Sequence, residues 1–228
     1  MAAVFSIKKI ANFILWSIVS VTVCVSFAYA FLCSKMEIVD TRETFYFVVS
    51  PSLHLEASAH HITWSGGAGY LLEHDQREYA AFSAYFSKDE GEAAQNNLLE
   101  KEQSSVLISV SASPLYLKTK AQKEKASIWK GAFDSLFGCM QVLDTEIARM
   151  TKGGTQESGK RILQLLQRQF DFLSKEYEKI FPQYAKVCQK GVMSCRQIVE
   201  KVILVKDLRY FLCELCVDYV ALTKGFAI

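Results

Sequence analysis

Lys8-Lys9 precedes an apolar run from Ile10 to Cys33 that carries no charged residue. About 20 apolar residues cross the roughly 30 Å hydrocarbon core as a helix, whereas the apolar part of a secretory signal is commonly only about 7–15 residues. The length predicts a retained signal-anchor over 10–33, with a cytoplasmic tail over 1–9 and a linker over 34–43. The competing reading is cleavage after Ala30, because Ala28-Tyr29-Ala30 has the small-x-small pattern of a signal peptidase site. Either reading exports the rest. Neither Cys24 nor Cys33 follows a leucine-x-small pattern, so lipidation is not expected. Lys8 and Lys9 before the span are balanced by Lys35 and Arg42 after it, and the short tail favours N-in, C-out: a single-pass protein of the cell membrane with its domains outside the cytoplasm.

The net charge is +2, and no clustered basic stripe stands out along the sequence, which argues against nucleic acid as a partner. Of seven cysteines, Cys24 and Cys33 lie in the apolar run, leaving Cys139, Cys188, Cys195, Cys213 and Cys216. Cys213-x-x-Cys216 falls inside an apolar helical pattern with no second pair at zinc spacing, so buried free thiols are expected. Cys188 and Cys195 flank Gly191, read as a turn, and are the pair that could bridge. His54, His60, His61 and His74 form no metal-binding spacing, since His60 and His61 are adjacent on a presumed helix. Ser65-Gly-Gly-Ala-Gly69 lacks the strand–loop–helix setting and the lysine of a nucleotide loop. No catalytic residue, metal or cofactor is expected.

Character changes near Pro114. Before it, Thr44–Ser50 reads as a strand, Leu53–Trp64 as a helix, Gly69–His74 as a strand, Glu78–Phe86 as a strand after a turn at Asp75-Gln-Arg77, Ser87 to about Lys101 as a capped helix, and Ser105–Ser111 as a strand. This order is the ferredoxin-like βαββαβ arrangement, one antiparallel sheet with two helices on one face, over 44–112. Alternation places Phe47, Val49, Ala81, Ser83, Val106, Ile108 and Val110 toward the core. It points Tyr46, Val48, Ser50, Phe82, Ala84, Leu107 and Ser109 outward.

The tract resembles a SPOR domain, the sporulation-related repeat of bacterial envelope proteins. The likeness lies in Phe45-Tyr-Phe-Val-Val-Ser50, the helix ending at Gly66-Gly-Ala-Gly-Tyr70, the strand Glu78-Tyr-Ala-Ala-Phe-Ser-Ala-Tyr85, and Ser87-Lys-Asp-Glu90 followed by Ala93, Ala94 and Leu98. The resemblance implies binding of peptidoglycan, in particular glycan strands denuded of stem peptides, in cell division or sporulation. It implies a ligand face made by the sheet side away from the helices, here Tyr46, Val48, Ser50, Phe82, Ala84 and Ser109, with Tyr46 and Phe82 stacking on sugar rings. Val48 stands where the family often has a polar residue. The resulting apolar face has a second reading, a surface covered by the C-terminal helices or by a partner protein.

From 113 to 228 the chain is helical. Trp129, Phe133, Leu136, Met140, Leu143, Ile147 and Met150 form a seam that Gly153-Gly154 ends. A second helix begins near Thr155 and is kinked or broken at Phe181-Pro182, and a third runs from about Ser194 to Thr223. About three helices in a bundle are expected, giving an α+β chain of anchor, module and bundle. The function implied is noncatalytic binding of cell-wall peptidoglycan. The alternative is a membrane-tethered assembly protein whose sheet face and bundle contact other envelope proteins.

Overall fold

The computed structural model describes residues 37–41, 43–51, 55–117 and 120–224. The anchor, the tail, the cleavage site, Cys24, Cys33 and His54 lie outside these residues, and among the described ones no helix is long and apolar enough to cross a membrane.

The fold is α+β. Strands β1 (Glu37–Val39), β2 (Thr44–Ser50), β3 (Tyr70–His74), β4 (Arg77–Tyr85), β5 (Val106–Ser111) and β6 (Leu115–Leu117) alternate with helices α1 (Leu55–Trp64) and α2 (Lys88–Leu99). Then follow α3 (Lys120–Lys123), α4 (Ala126–Thr151), α5 (Gln156–Tyr177), α6 (Pro182–Val199) and α7 (Val205–Lys224). Four strands make one antiparallel sheet in the order β3-β4-β2-β5, so the βαββαβ succession is present with β2 at the centre. Local chemistry sets the boundaries. Asp75 and Gln76 take positive φ, 49° and 62°, in the two-residue turn between β3 and β4, which matches the twist of a hairpin. Ser87 caps α2 by accepting a hydrogen bond from Glu90 N at 3.2 Å, filling a helix-start donor that has no intrahelical partner. Gly153, at φ 90°, ends α4 in a conformation that side chains disfavour.

Residues 37–39 of the linker and 115–117 at the start of the bundle form strands. β1 pairs antiparallel with β6, Glu37 opposite Leu117, and this ribbon closes the entry of the module onto its exit. Thr41 Oγ1 donates to Ser113 O at 2.8 Å, and Ser113 N donates to Thr223 Oγ1 at 3.0 Å near the end of α7.

The bundle has four long helices where about three are expected. The seam of α4 is buried as read, from Trp129 to Met150. Pro182 starts α6 at a helix position where its missing N–H is harmless, so the break at Phe181-Pro182 is complete. The third expected helix is divided at residues 200–204, where Gln156 Nε2 donates to Ile203 O and Gln156 Oε1 accepts from Ile203 N, both at 2.8 Å. Gly191 is no turn: it lies inside α6, where an added Cβ would stand 3.0 Å from the Phe170 ring. Cys188 and Cys195 therefore share one helix two turns apart, about 10 Å by helix rise, too far to bridge, and both are free and buried.

Candidate functional site

Both faces of the sheet are buried, and the two faces are exchanged relative to the sequence reading. Under α1 and α2 lies a small cluster of Val48, Ile62, Ala80 and Phe82, with Ala94, Leu98 and Leu107 packed against it. Gly91 lets α2 close on this side, since a Cβ there would sit 2.8 Å from Leu107 Cδ1 and 3.3 Å from Tyr46 Cβ. Four of the residues expected to face outward, Tyr46, Val48, Phe82 and Leu107, are thus the floor beneath the helices. Val48 is fully buried and Phe82 only 7% exposed.

The register explains why alternation cannot be carried along β4. Val48 opposes Ser83 and Val49 opposes Ala81, so Phe82 is an extra residue, a β-bulge. A bulge shifts the side-chain phase by one. Ala84, expected beside Phe82, therefore lies with Phe47 on the opposite face and is fully buried there. Ser109 is exposed opposite Tyr46, and Ser50 is half-buried at the strand end. The six expected ligand residues are not brought together on an open surface.

The face away from α1 and α2 carries Phe45, Phe47, Val49, Ala81 and Ala84, and it belongs to the main core together with α4 and α7. The contact is aromatic. Phe45 meets Tyr219 edge-on at 5.5 Å, Phe86 meets Phe137 at 5.3 Å, and Tyr70 meets Tyr210 at 5.2 Å, arrangements that suit ring quadrupoles. Arg209 Nη1 donates to Gly66 O at 2.7 Å, tying the start of α7 to the loop before β3. Covering by the C-terminal helices, the second reading of the apolar face, is what occurs, with the other set of side chains.

Among the surfaces open around the module, one of about 640 Å³ lies between β3, Ser109–Ser111 of β5, and Val217 and Lys224 of α7; two others lie along α1. One is a groove of about 430 Å³ that includes Ser50, Phe82, Ser58, His61, Glu102 and Gln103, between α1 and the turn after α2. The other is apolar: Trp64 is 82% exposed, with Leu204, Leu71 and Tyr210 also exposed. Two adjoining depressions that share Thr63 connect these side chains. The sequence marks Trp64 only as a helix end, and its exposure follows from the position of the α6–α7 connection, which local pattern does not encode.

Several titratable groups are set by burial or by ion pairs. Burial pushes the Cys139 thiol up to about 11 and those of Cys188 and Cys195 up to about 12, leaving them protonated and poor nucleophiles or ligands at neutral pH. Lys190 bridges Glu214 at 3.1 Å and Asp218 at 2.9 Å across α6 and α7. Burial first, and the Asp218 carboxylate next, raise the nearby Tyr70 hydroxyl to about 12. The His60 and Trp64 rings lie 5.9 Å apart and tilted by 36°, and His74 lies 3.4 Å from Asp75.

Set against models of protein families, curated proteins and solved structures, the chain matches none.

Proposed function

We propose that this chain is a noncatalytic, membrane-tethered assembly protein of a bacterial envelope, in which a ferredoxin-like module of SPOR type is fused to its own helical bundle. One observation carries the reading: the sheet face through which such a module would meet a glycan strand is filled by α4 and α7, with Phe45 at 0% exposure against Tyr219. A face built into the core cannot also be a ligand groove without separating the two halves. What the molecule offers a partner instead is the patch of Trp64, Leu204, Leu71 and Tyr210, of a kind that marks contact surfaces.

A second reading, binding of denuded glycan strands, keeps support from the groove beside His61, since Ser50 and Phe82 of the expected set line it together with polar side chains. Cosedimentation of the detergent-solubilised full chain with peptidoglycan sacculi separates the two. Binding that rises on amidase-stripped wall and falls in His61→Ala favours the glycan reader and removes the assembly proposal as the main role. No binding by a folded sample leaves the assembly reading. That reading then requires a photoreactive side chain in place of Trp64 to crosslink a defined envelope protein, with the adduct lost on Leu204→Ser.

A further inference from the structure

The solvent side of the α5–α6 pair is basic and studded with apolar side chains. Arg161, Leu165, Arg168, Phe172, Lys175 and, just past the helix end, Lys179 recur at steps of three and four and are all exposed, so they share one side. The opposite side of α5 buries Leu163, Leu166, Phe170 and Leu173. Leu165 is 58% and Phe172 59% exposed, and Met193 of α6 is 60% exposed. Helix α6 contains no Asp or Glu between Pro182 and Val199, and its exposed residues include Lys186 and Arg196, while Lys190 turns to Glu214 and Asp218 of α7. Residues 156–199 carry a net charge of +4 by residue count, whereas the whole chain carries +2. The basic residues, dispersed along the linear sequence, gather on one side when 161–177 are wound into a helix. Within the stripe Lys175 is paired with Asp171 at 2.6 Å, while Arg161, Arg168, Lys179 and Lys186 make no ion pair among the described residues.

We infer that this face docks on an anionic lipid surface. Large apolar side chains flanked by Lys and Arg are the pattern of a helix lying in the membrane interface: the apolar groups enter the headgroup boundary while the cations meet phosphate. Exposed aliphatic side chains such as Leu165 and Met193 gain little from a phosphate backbone, whereas a headgroup boundary buries them. The inference rests on the tethering reading for proximity. Four residues of chain from Cys33 to Glu37 reach at most about 14 Å, so an anchored chain holds the bundle beside the bilayer and makes docking an intramolecular event.

The test uses full-length chain reconstituted with vesicles of brominated lipid, either phosphatidylcholine alone or with about 30% phosphatidylglycerol to supply surface charge. Flotation with the neutral vesicles reads the tether. Bromine quenching of Phe172→Trp, with the unsubstituted chain's Trp signal subtracted, reads the face. The expected result is quenching about twofold or more stronger on the anionic vesicles, abolished by about 0.5 M salt and by Arg161→Glu with Arg168→Glu. Leu165→Trp should behave alike, and all these sites are exposed, so folding is checked simply by circular dichroism. Equal quenching on both vesicle types, or none in a chain that floats, overturns the inference and leaves the tether standing. Binding of a DNA duplex without lipid quenching also overturns it. A chain that does not float with the neutral vesicles but is quenched on anionic ones keeps the inference and sinks the tether.

Discussion

Gly191 shows how one residue type can be read for the wrong reason. A glycine between Cys188 and Cys195 suggests a turn, yet α6 runs through it, and the need for glycine is the Phe170 ring, fully buried and 3.0 Å from where a Cβ would stand. Phe170 is also held by Phe211 at 6.1 Å, so it has little room to retreat. Gly191→Ala gains about 1 kcal/mol of helix propensity but overpacks the core by about 1–3 kcal/mol. A net loss of about 1 kcal/mol in urea unfolding is expected, and an unchanged midpoint would mean that the ring yields. Asp144 supplies a second residue-scale case with a pH signature. Burial, then the Glu90 carboxylate, holds its carboxyl above the ordinary aspartate range. The folded chain therefore binds a proton that the unfolded chain gives up. This group's contribution to stability rises as pH falls through the raised value and levels off below the unfolded one. Asp144→Asn should raise Tm at pH 7, and the difference should shrink as pH falls to and below the ordinary aspartate value, where the carboxyl is protonated in both folded and unfolded chains. A constant difference across that range would contradict the assignment.

At the scale of elements, much of the succession is legible because local chemistry announces it: Ser87, Thr155, Gly153 and Pro182 start or stop helices through groups within a few residues of themselves. Two features are not. Alternation identifies the faces of a strand only when one face is polar, and β2 reads Phe45, Tyr46, Phe47, Val48, Val49 with apolar side chains on both sides. Either assignment fits, and the bulge at Phe82 then breaks the phase along β4. The end of α6 is hidden for a different reason, since Glu200 to Leu204 contains neither Gly nor Pro. The break is made by Gln156, 47 positions away, whose amide pairs with both backbone groups of Ile203. Gln156→Ala leaves those two groups without their partner, at about 1–3 kcal/mol. Hydrogen exchange should localise the loss, with Ile203 N–H exchanging faster and the seam of α4 unchanged. Acceleration spread evenly over the bundle would show that the clamp is not what divides the helix.

For the whole molecule, module and bundle share one core, as Phe45, Phe47, Ala81 and Ala84 of the sheet and Phe133, Leu136, Leu212 and Tyr219 of the bundle join a single cluster. The candidate surfaces follow from this union. The glycan face implied by resemblance is consumed by it, the Trp64 patch is created where α7 meets the loop after α1, and the basic face lies on the two helices that pack away from the sheet. Sequence reading divides the chain at residue 112 because hydrophobic period changes there, and period reports local geometry but not which apolar faces meet. Two consequences separate one body from two. Residues 37–117 expressed alone would expose the Phe45, Phe47 and Val49 side of the sheet, a surface far too apolar for a fragment of this size to leave in water. The fragment should bind the dye ANS and lack near-ultraviolet dichroism, as loosely packed states do. The chain from residue 37 onward should melt in one transition with calorimetric and van't Hoff enthalpies equal. Two resolved transitions, or a fragment with sharp side-chain resonances, would mean that the sheet is stable without its helical cover. The face now filled by α4 and α7 would then be available to glycan whenever the bundle swings away.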